Sequence, residues 1–196
     1  MRIILKRTFD IVFSLIGLII LSPVILIISL IIKLKMPGAP VFFIQLRVGQ
    51  NECFFKMIKF RTMVASPSTN CVSVKGDARI TPLGAVLRKH KLDELPELLN
   101  VLSGQMSLVG PRPDVPGYYD RLSGDDRKIL ELKPGITGPA TLLYADEEEF
   151  LATVSDPIKY NDEIIFPEKV RINLEYYYNN SFFGDIKIIL KTIFLR

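Results

Sequence analysis

Asp93 and Glu94 stand side by side in LDELPELLNVLSG, just ahead of Pro96 and an apolar stretch. Neighbours on a helix point about 100° apart, so the two carboxylates cannot both aim squarely at one atom. They suit separate tasks, one attacking phosphorus and the other holding a cation. Basic residues lie around them in separate motifs: Lys59 and Arg61 in KFRTM, Arg79 in DARIT, Arg88 in LRK and Arg112 in GPRP. Arginine forks grip phosphate oxygens bidentately, so this set can clamp a diphosphate. Pro111 and Pro113 fix the backbone on either side of Arg112 and offer a rigid surface to a base or ribose. Each signal alone is weak, because an acid pair in a leucine-rich helix is ordinarily solvated.

Other chemistries have little material. His90 is the single histidine, too few for a His-ligated metal or a Ser-His-Asp triad, and it reads as a solvated helix residue. Cys53 and Cys71 form no CxxC pair and fit a reduced, cytosol-facing domain. The net charge of +4 suggests anionic surroundings such as headgroups or nucleotides. Nucleic acid is disfavoured, since no recognition motif is present and the basic residues are interspersed with apolar runs.

The elements that must position these residues begin with an apolar run, FDIVFSLIGLIILSPVILIISLII, from Phe9 to Ile32. At about 1.5 Å per residue it is long enough to span a bilayer, and it lacks the cleavage site of a signal peptide. Arg2, Lys6 and Arg7 precede it while Lys33 and Lys35 follow, so both ends carry the charge that prefers the cytoplasmic side. Ser22 and Pro23 fall near its middle. The proline frees the carbonyl of Ile19, and a serine hydroxyl can satisfy it again. A helix that dips into one leaflet and returns, and a kinked spanning helix, stand even on these residues. Asp10 favours a shallow position for its own end.

After the breaker MPGAP, two β-rich runs around Gly49-Gln50-Asn51 read as a hairpin. Val64–Asp77 is polar and irregular. Leu83, Leu87, Leu95, Leu98, Leu99 and Leu102 give TPLGAVLRKHKLDELPELLNVLSG an apolar helical face, with Pro96 bending or restarting the helix. SLVGPRPDVPGYY reads as a turn-rich loop, GDDRKILELKPGITGP as a short helix ending at Pro134-Gly135, and ADEEEF as a helix start. The C-terminal FFGDIKIILKTIFLR suits an amphipathic helix, either lying on a membrane or docked on the core. The expectation is an α+β, mostly helical chain with a small β-hairpin and interfacial amphipathic helices. Residues 1–35 form the membrane helix with its basic flanks, and 36–196 one catalytic domain.

KRTFDIVFSLIGLIILSPV, FFIQLRVGQN, KFRTM, DARITPLGAVLRK, LDELPELLNVLSGQMSLVGPRP and KPGITGPA occur in the order seen in bacterial monotopic phosphoglycosyl transferases, the polyprenol-phosphate sugar-phosphate transferases, and the chain resembles that family from about Lys6 to Pro139. The resemblance implies a re-entrant membrane helix broken at Ser22-Pro23, on the cytoplasmic face of the bacterial inner membrane. It implies transfer of a sugar phosphate from a UDP-sugar to undecaprenyl phosphate with release of UMP. It also implies Asp93 as nucleophile and Glu94 as its partner near Mg²⁺. A membrane hydrolase acting through an aspartyl phosphate, and a non-catalytic scaffold for glycan assembly, are the rival readings. Homodimerisation is left open, as is the sugar.

The chain departs from the family's usual pattern at Lys91, at Glu97 where many relatives have glutamine, at Gln105 where they have an acid, and in GPATLLYADEEEF. Glu97, three residues after Glu94, reads as a solvated acid rather than added charge at the metal.

Overall fold

The computed structural model of the chain describes residues 2–64 and 76–194. Cys71 and most of the polar stretch after Val64 lie outside those residues. Helix α1 (Arg2–Lys35) is one continuous run with Pro23 inside it. Ser22 Oγ donates to the Ile19 carbonyl at 2.8 Å, the very group that the proline leaves without its amide partner. One stripe of α1 faces the rest of the chain, with Asp10, Ser14, Ile28 and Ile32 buried and Gly17 against Leu98. These positions recur at three- and four-residue steps, or sums of them, which keeps them on one side of a helix. The remaining faces carry exposed Ile19, Ile20, Leu26 and Leu30. Only 11% of the helix's most apolar window is buried, so it is no soluble core helix.

Strands β1 (Phe42–Val48) and β2 (Phe54–Phe60) pair antiparallel from Phe42↔Phe60 to Val48↔Phe54. The Gln50–Glu52 turn joins them, with Asn51 at φ 52° in the left-handed region that asparagine tolerates. The expected hairpin is therefore present. Helix α2 (Pro82–Lys89) is capped by Thr81, whose hydroxyl accepts from Gly84 N. It ends where Lys91 turns left-handed at φ 53°. A 3₁₀ turn, Leu92–Glu94, follows, then helix α3 (Glu97–Ser103). The sequence places the break at Pro96 alone, whereas the α-helix already ends before the left-handed Lys91. Leu99, assigned to the apolar face, is exposed.

Strand β3 (Ser107–Val109) pairs parallel with β4 (Gly135–Thr137). From sequence, SLV reads as part of a turn-rich loop, and the helix before GIT ends at Pro134-Gly135. Three-residue strands are too short to show alternation, and their pairing is a tertiary event. A 3₁₀ helix, Gly124–Glu131, stands where a short helix was expected. The C-terminal part is helical: α4 (Pro139–Leu143), α5 (Glu147–Leu151), α6 (Pro157–Tyr160), α7 (Phe166–Asn179) and α8 (Phe182–Phe194). Helix α8 is amphipathic as expected. It buries Asp185 and exposes Phe183, Ile193 and Phe194 beside exposed Lys187 and Lys191.

Among the described residues, three small apolar clusters hold these elements together. Ile28 and Ile32 of α1 meet Phe60 and Leu87, with Leu92 and Leu95 packed against them. Phe55 and Met57 meet Val101 and Met106. Val48, Tyr119, Ile129, Leu130 and Val170 form the third. The first two flank the 3₁₀ turn carrying Asp93 and Glu94, and so fix its place between α1 and β2.

Candidate active site

Asn100 sets the spacing between α3 and the hairpin. Its Oδ1 accepts from Ile58 N at 3.0 Å and its Nδ2 donates to the Lys56 carbonyl at 2.8 Å. A side chain thereby caps the open edge of β2, and Lys59 projects toward the acids at the start of α3. Arg112 arrives from the other side. The carbonyl of Pro111 accepts from Gly135 N at 2.8 Å, and that of Pro113 from Arg47 at 3.1 Å. This packing is backbone against backbone. A Cβ on Gly135 would lie 2.1 Å from Gly110 N, and one on Gly110 2.2 Å from the Lys133 carbonyl. The glycines of KPGITGP and GPRP thus let two loops touch, and the contact brings Arg112 to Glu94.

Glu94 Oε1 accepts from Lys59 Nζ at 3.1 Å and from the Arg112 guanidinium. Burial pushes its carboxyl up, but Arg112 and Lys59 outweigh burial and hold it well below the ordinary glutamate range. The same pairing raises the Arg112 pKa. Asp93 is 8% exposed, and its Oδ1 is buried without a hydrogen-bond partner. Burial is the main cause that raises its carboxyl. Lys59 opposes that, Glu94 reinforces it, and Arg88 and Arg112 pull the other way. The two adjacent acids therefore differ: Glu94 carries two cations on one oxygen, while Asp93 is desolvated and has an oxygen without a hydrogen-bond partner.

Glu97 corrects an expectation. It is 1% exposed, because Lys59 lies over it at 3.2 Å. Burial and the nearby Glu94 push its carboxyl up against the pull of Lys59. The sequence signal was its spacing of three residues from Glu94; what was missing was the strand that covers it.

The remaining basic residues are placed elsewhere or held by other acids. Arg88 pairs with Glu148 of α5, a partner the sequence did not suggest, yet its charge still acts on Asp93. Arg79 forks onto Asp77, with its closest contact at 2.6 Å. Arg61 donates to the Met36 carbonyl at the end of α1. His90 is exposed at the end of α2, as expected.

The family profile of the bacterial sugar transferases matches residues 1–196. The chain belongs to the bacterial sugar transferase family. It is 38% identical to an exopolysaccharide production protein, PSS, of Rhizobium leguminosarum bv. phaseoli, over 98% of this chain and 95% of that one. It is 36% identical to the UDP-glucose:undecaprenyl-phosphate glucose-1-phosphate transferase of Escherichia coli (strain K12), over 97% of this chain and 40% of the relative. It is 35% identical to a UDP-N-acetylgalactosamine-undecaprenyl-phosphate N-acetylgalactosaminephosphotransferase of Aeromonas hydrophila, over 96% of this chain and 43% of the relative. Against these last two, the chain spans less than half of the relative's length. This is the family that the six motifs resembled.

Proposed function

We propose that this bacterial sugar transferase moves a sugar phosphate from a UDP-sugar to undecaprenyl phosphate, an early membrane step of glycan assembly. The carrying observation is Asp93 Oδ1, a buried carboxylate oxygen without a hydrogen bond, beside a Glu94 that two cations hold ionised. An orphaned buried acceptor is costly and calls for a functional reason. A nucleophile supplies one, since its lone pair must stay free for phosphorus.

In the first step an Asp93 oxygen bonds to the β-phosphorus, the bond from that phosphorus to the bridging oxygen breaks, and UMP leaves with the electron pair. In the second, an oxygen of undecaprenyl phosphate attacks the same phosphorus and the aspartyl–phosphorus bond breaks. The two half-reactions make a ping-pong cycle. Lys59 and Arg112, which share Glu94 Oε1, orient the diphosphate oxygens, and Arg88 adds positive charge near Asp93. The donor set fits Mg²⁺, which uses one or two carboxylates plus substrate phosphates, and Asp93 and Glu94 would hold it. When bound, it neutralises diphosphate charge and eases departure of UMP.

The placement of α1 supports a re-entrant helix on the cytoplasmic face. Near its start, Arg7 donates to the Val101 and Leu102 carbonyls at 2.7 and 2.9 Å. At its end, Arg61 holds the Met36 carbonyl. Both ends thus bind the same domain, whereas a straight span carries one end across the bilayer. A shallow anchor also keeps a soluble donor and a lipid phosphate at one height. The exposed apolar face of α8 suits the same interface.

The test is UMP release from a panel of UDP-sugars in detergent with Mg²⁺. Release from one donor that rises with undecaprenyl phosphate and disappears in Asp93→Asn is the expected result. Release of free sugar phosphate without the lipid acceptor would instead identify a hydrolase.

A further inference from the structure

Building on the transferase reading, we propose that Glu97 is a positioning residue that takes over the ammonium of Lys59 when Glu94 turns to the donor. Lys59 Nζ hydrogen-bonds Glu94 Oε1 at 3.1 Å. It also lies 3.2 Å from Glu97 Oε1, an ion-pair contact on a buried oxygen that has no aligned hydrogen bond. A carboxylate with a cation at contact distance and one unfilled acceptor is poised to receive it.

Glu94 is overcommitted. Its Oε1 serves both Lys59 and Arg112, and a donor diphosphate competes for both cations. Once Glu94 reorients, Lys59 loses its hydrogen-bonded acceptor in a pocket where its side chain is 14% exposed. An ammonium on a flexible four-carbon stem would then swing to solvent or be left unpaired, which is costly. Glu97 prevents both outcomes. It sits on α3, whose distance from β2 is set by the paired bonds of Asn100. Only a turn of the lysine head is needed, with no movement of backbone. Lys59 then stays charged and facing the donor phosphates throughout the first half-reaction.

The experiment compares the full chain with Glu97→Gln, Lys59→Met and the double variant. Donor affinity is measured by equilibrium binding of the UDP-sugar that the wild type turns over, alongside KM and kcat. Loss of a hydrogen bond to a charged group predicts about ten-fold weaker donor binding in Glu97→Gln, with KM raised by a similar factor and kcat within about three-fold. In the Lys59→Met background the same change adds no further loss, because the residue it acts through is gone. Glu97→Asp, which keeps the charge, recovers part of the affinity and serves if the glutamine variant folds poorly.

Unchanged donor affinity in Glu97→Gln overturns the proposal, as does an equal loss with and without Lys59. A lowered melting temperature with normal donor binding also overturns it, by making Glu97 purely structural. A wild type that binds no UDP-sugar and releases no UMP refutes the transferase reading itself; a working wild type with an indifferent Glu97 refutes only this step.

Discussion

The buried charges around Lys6 and those around Asp93 are built differently. At the start of α1, Lys6 pairs with Asp185 of α8 and donates to the Val109 carbonyl at 3.1 Å. The second oxygen of Asp185 accepts from Tyr176 at 2.6 Å, and Asp10 accepts from Leu108 N at 3.0 Å. Around Asp93 the acids outnumber their well-aligned donors. Among the described residues, the carboxylate oxygens buried without a hydrogen bond belong to Asp93 and Glu97. The first cluster spends its charges on joining α1, β3, α7 and α8. The second leaves acceptor capacity unused where the proposed transfer would need it, whereas the first is a satisfied scaffold.

Opposite effects on stability and activity follow from that contrast. The largest is in Asp93→Asn, which should reduce turnover by roughly 10³-fold or more by removing the nucleophile. It should leave stability equal or raise it by about 1 kcal/mol, because a desolvated charge is relieved. An unfolding midpoint well below wild type would place Asp93 with the structural cluster instead. Arg112→Lys keeps the charge but loses the fork, and about ten-fold lower kcat/KM is expected from steady-state kinetics.

Asp185→Asn should do the reverse. Weakening the hold on Lys6 and Tyr176 should cost about 1–3 kcal/mol in denaturant unfolding, with dyad chemistry retained in the folded fraction. If it abolishes turnover without loss of stability, the two clusters are not separable as described.

A smaller effect concerns pH. Burial raises the Asp93 carboxyl above the ordinary aspartate range, and only its ionised form attacks. The acid limb of donor-stage kcat/KM should therefore lie above that range, with rates falling as pH drops through the folded-state pKa. Stability has the opposite sign: Asp93 contributes most below its unfolded-state pKa, and that contribution is lost as pH rises through the folded value. Asp93→Asn should accordingly gain most over wild type near neutral pH.

Much of this was legible in the sequence because it is local. The hairpin announced itself through two β-rich runs around Gly49-Gln50-Asn51, α1 through its length and hydropathy, and α8 through its alternating apolar clusters and lysines. Ser22 donating to Ile19 was foreseeable from the missing proline amide alone. At the site, Asp93, Glu94, Lys59 and Arg112 do come together, whereas Arg61 and Arg79 hold the Met36 carbonyl and Asp77. A guanidinium's partner depends on which loop folds over it, and residue type cannot reveal that. The burial of Glu97, the Arg88–Glu148 pair and the β3–β4 strands were illegible for the same reason. Each depends on a contact between segments distant in the chain.

Bond formation between Asp93 and phosphorus can be read by intact-protein mass spectrometry. The full chain is mixed with its UDP-sugar donor and Mg²⁺ in the absence of undecaprenyl phosphate, then quenched. A gain of one phosphosugar mass, mapped to the peptide containing Asp93, absent in Asp93→Asn and discharged on adding the lipid acceptor, is the predicted result. UMP release with no adduct on the wild-type chain, or the same adduct on Asp93→Asn, would contradict it.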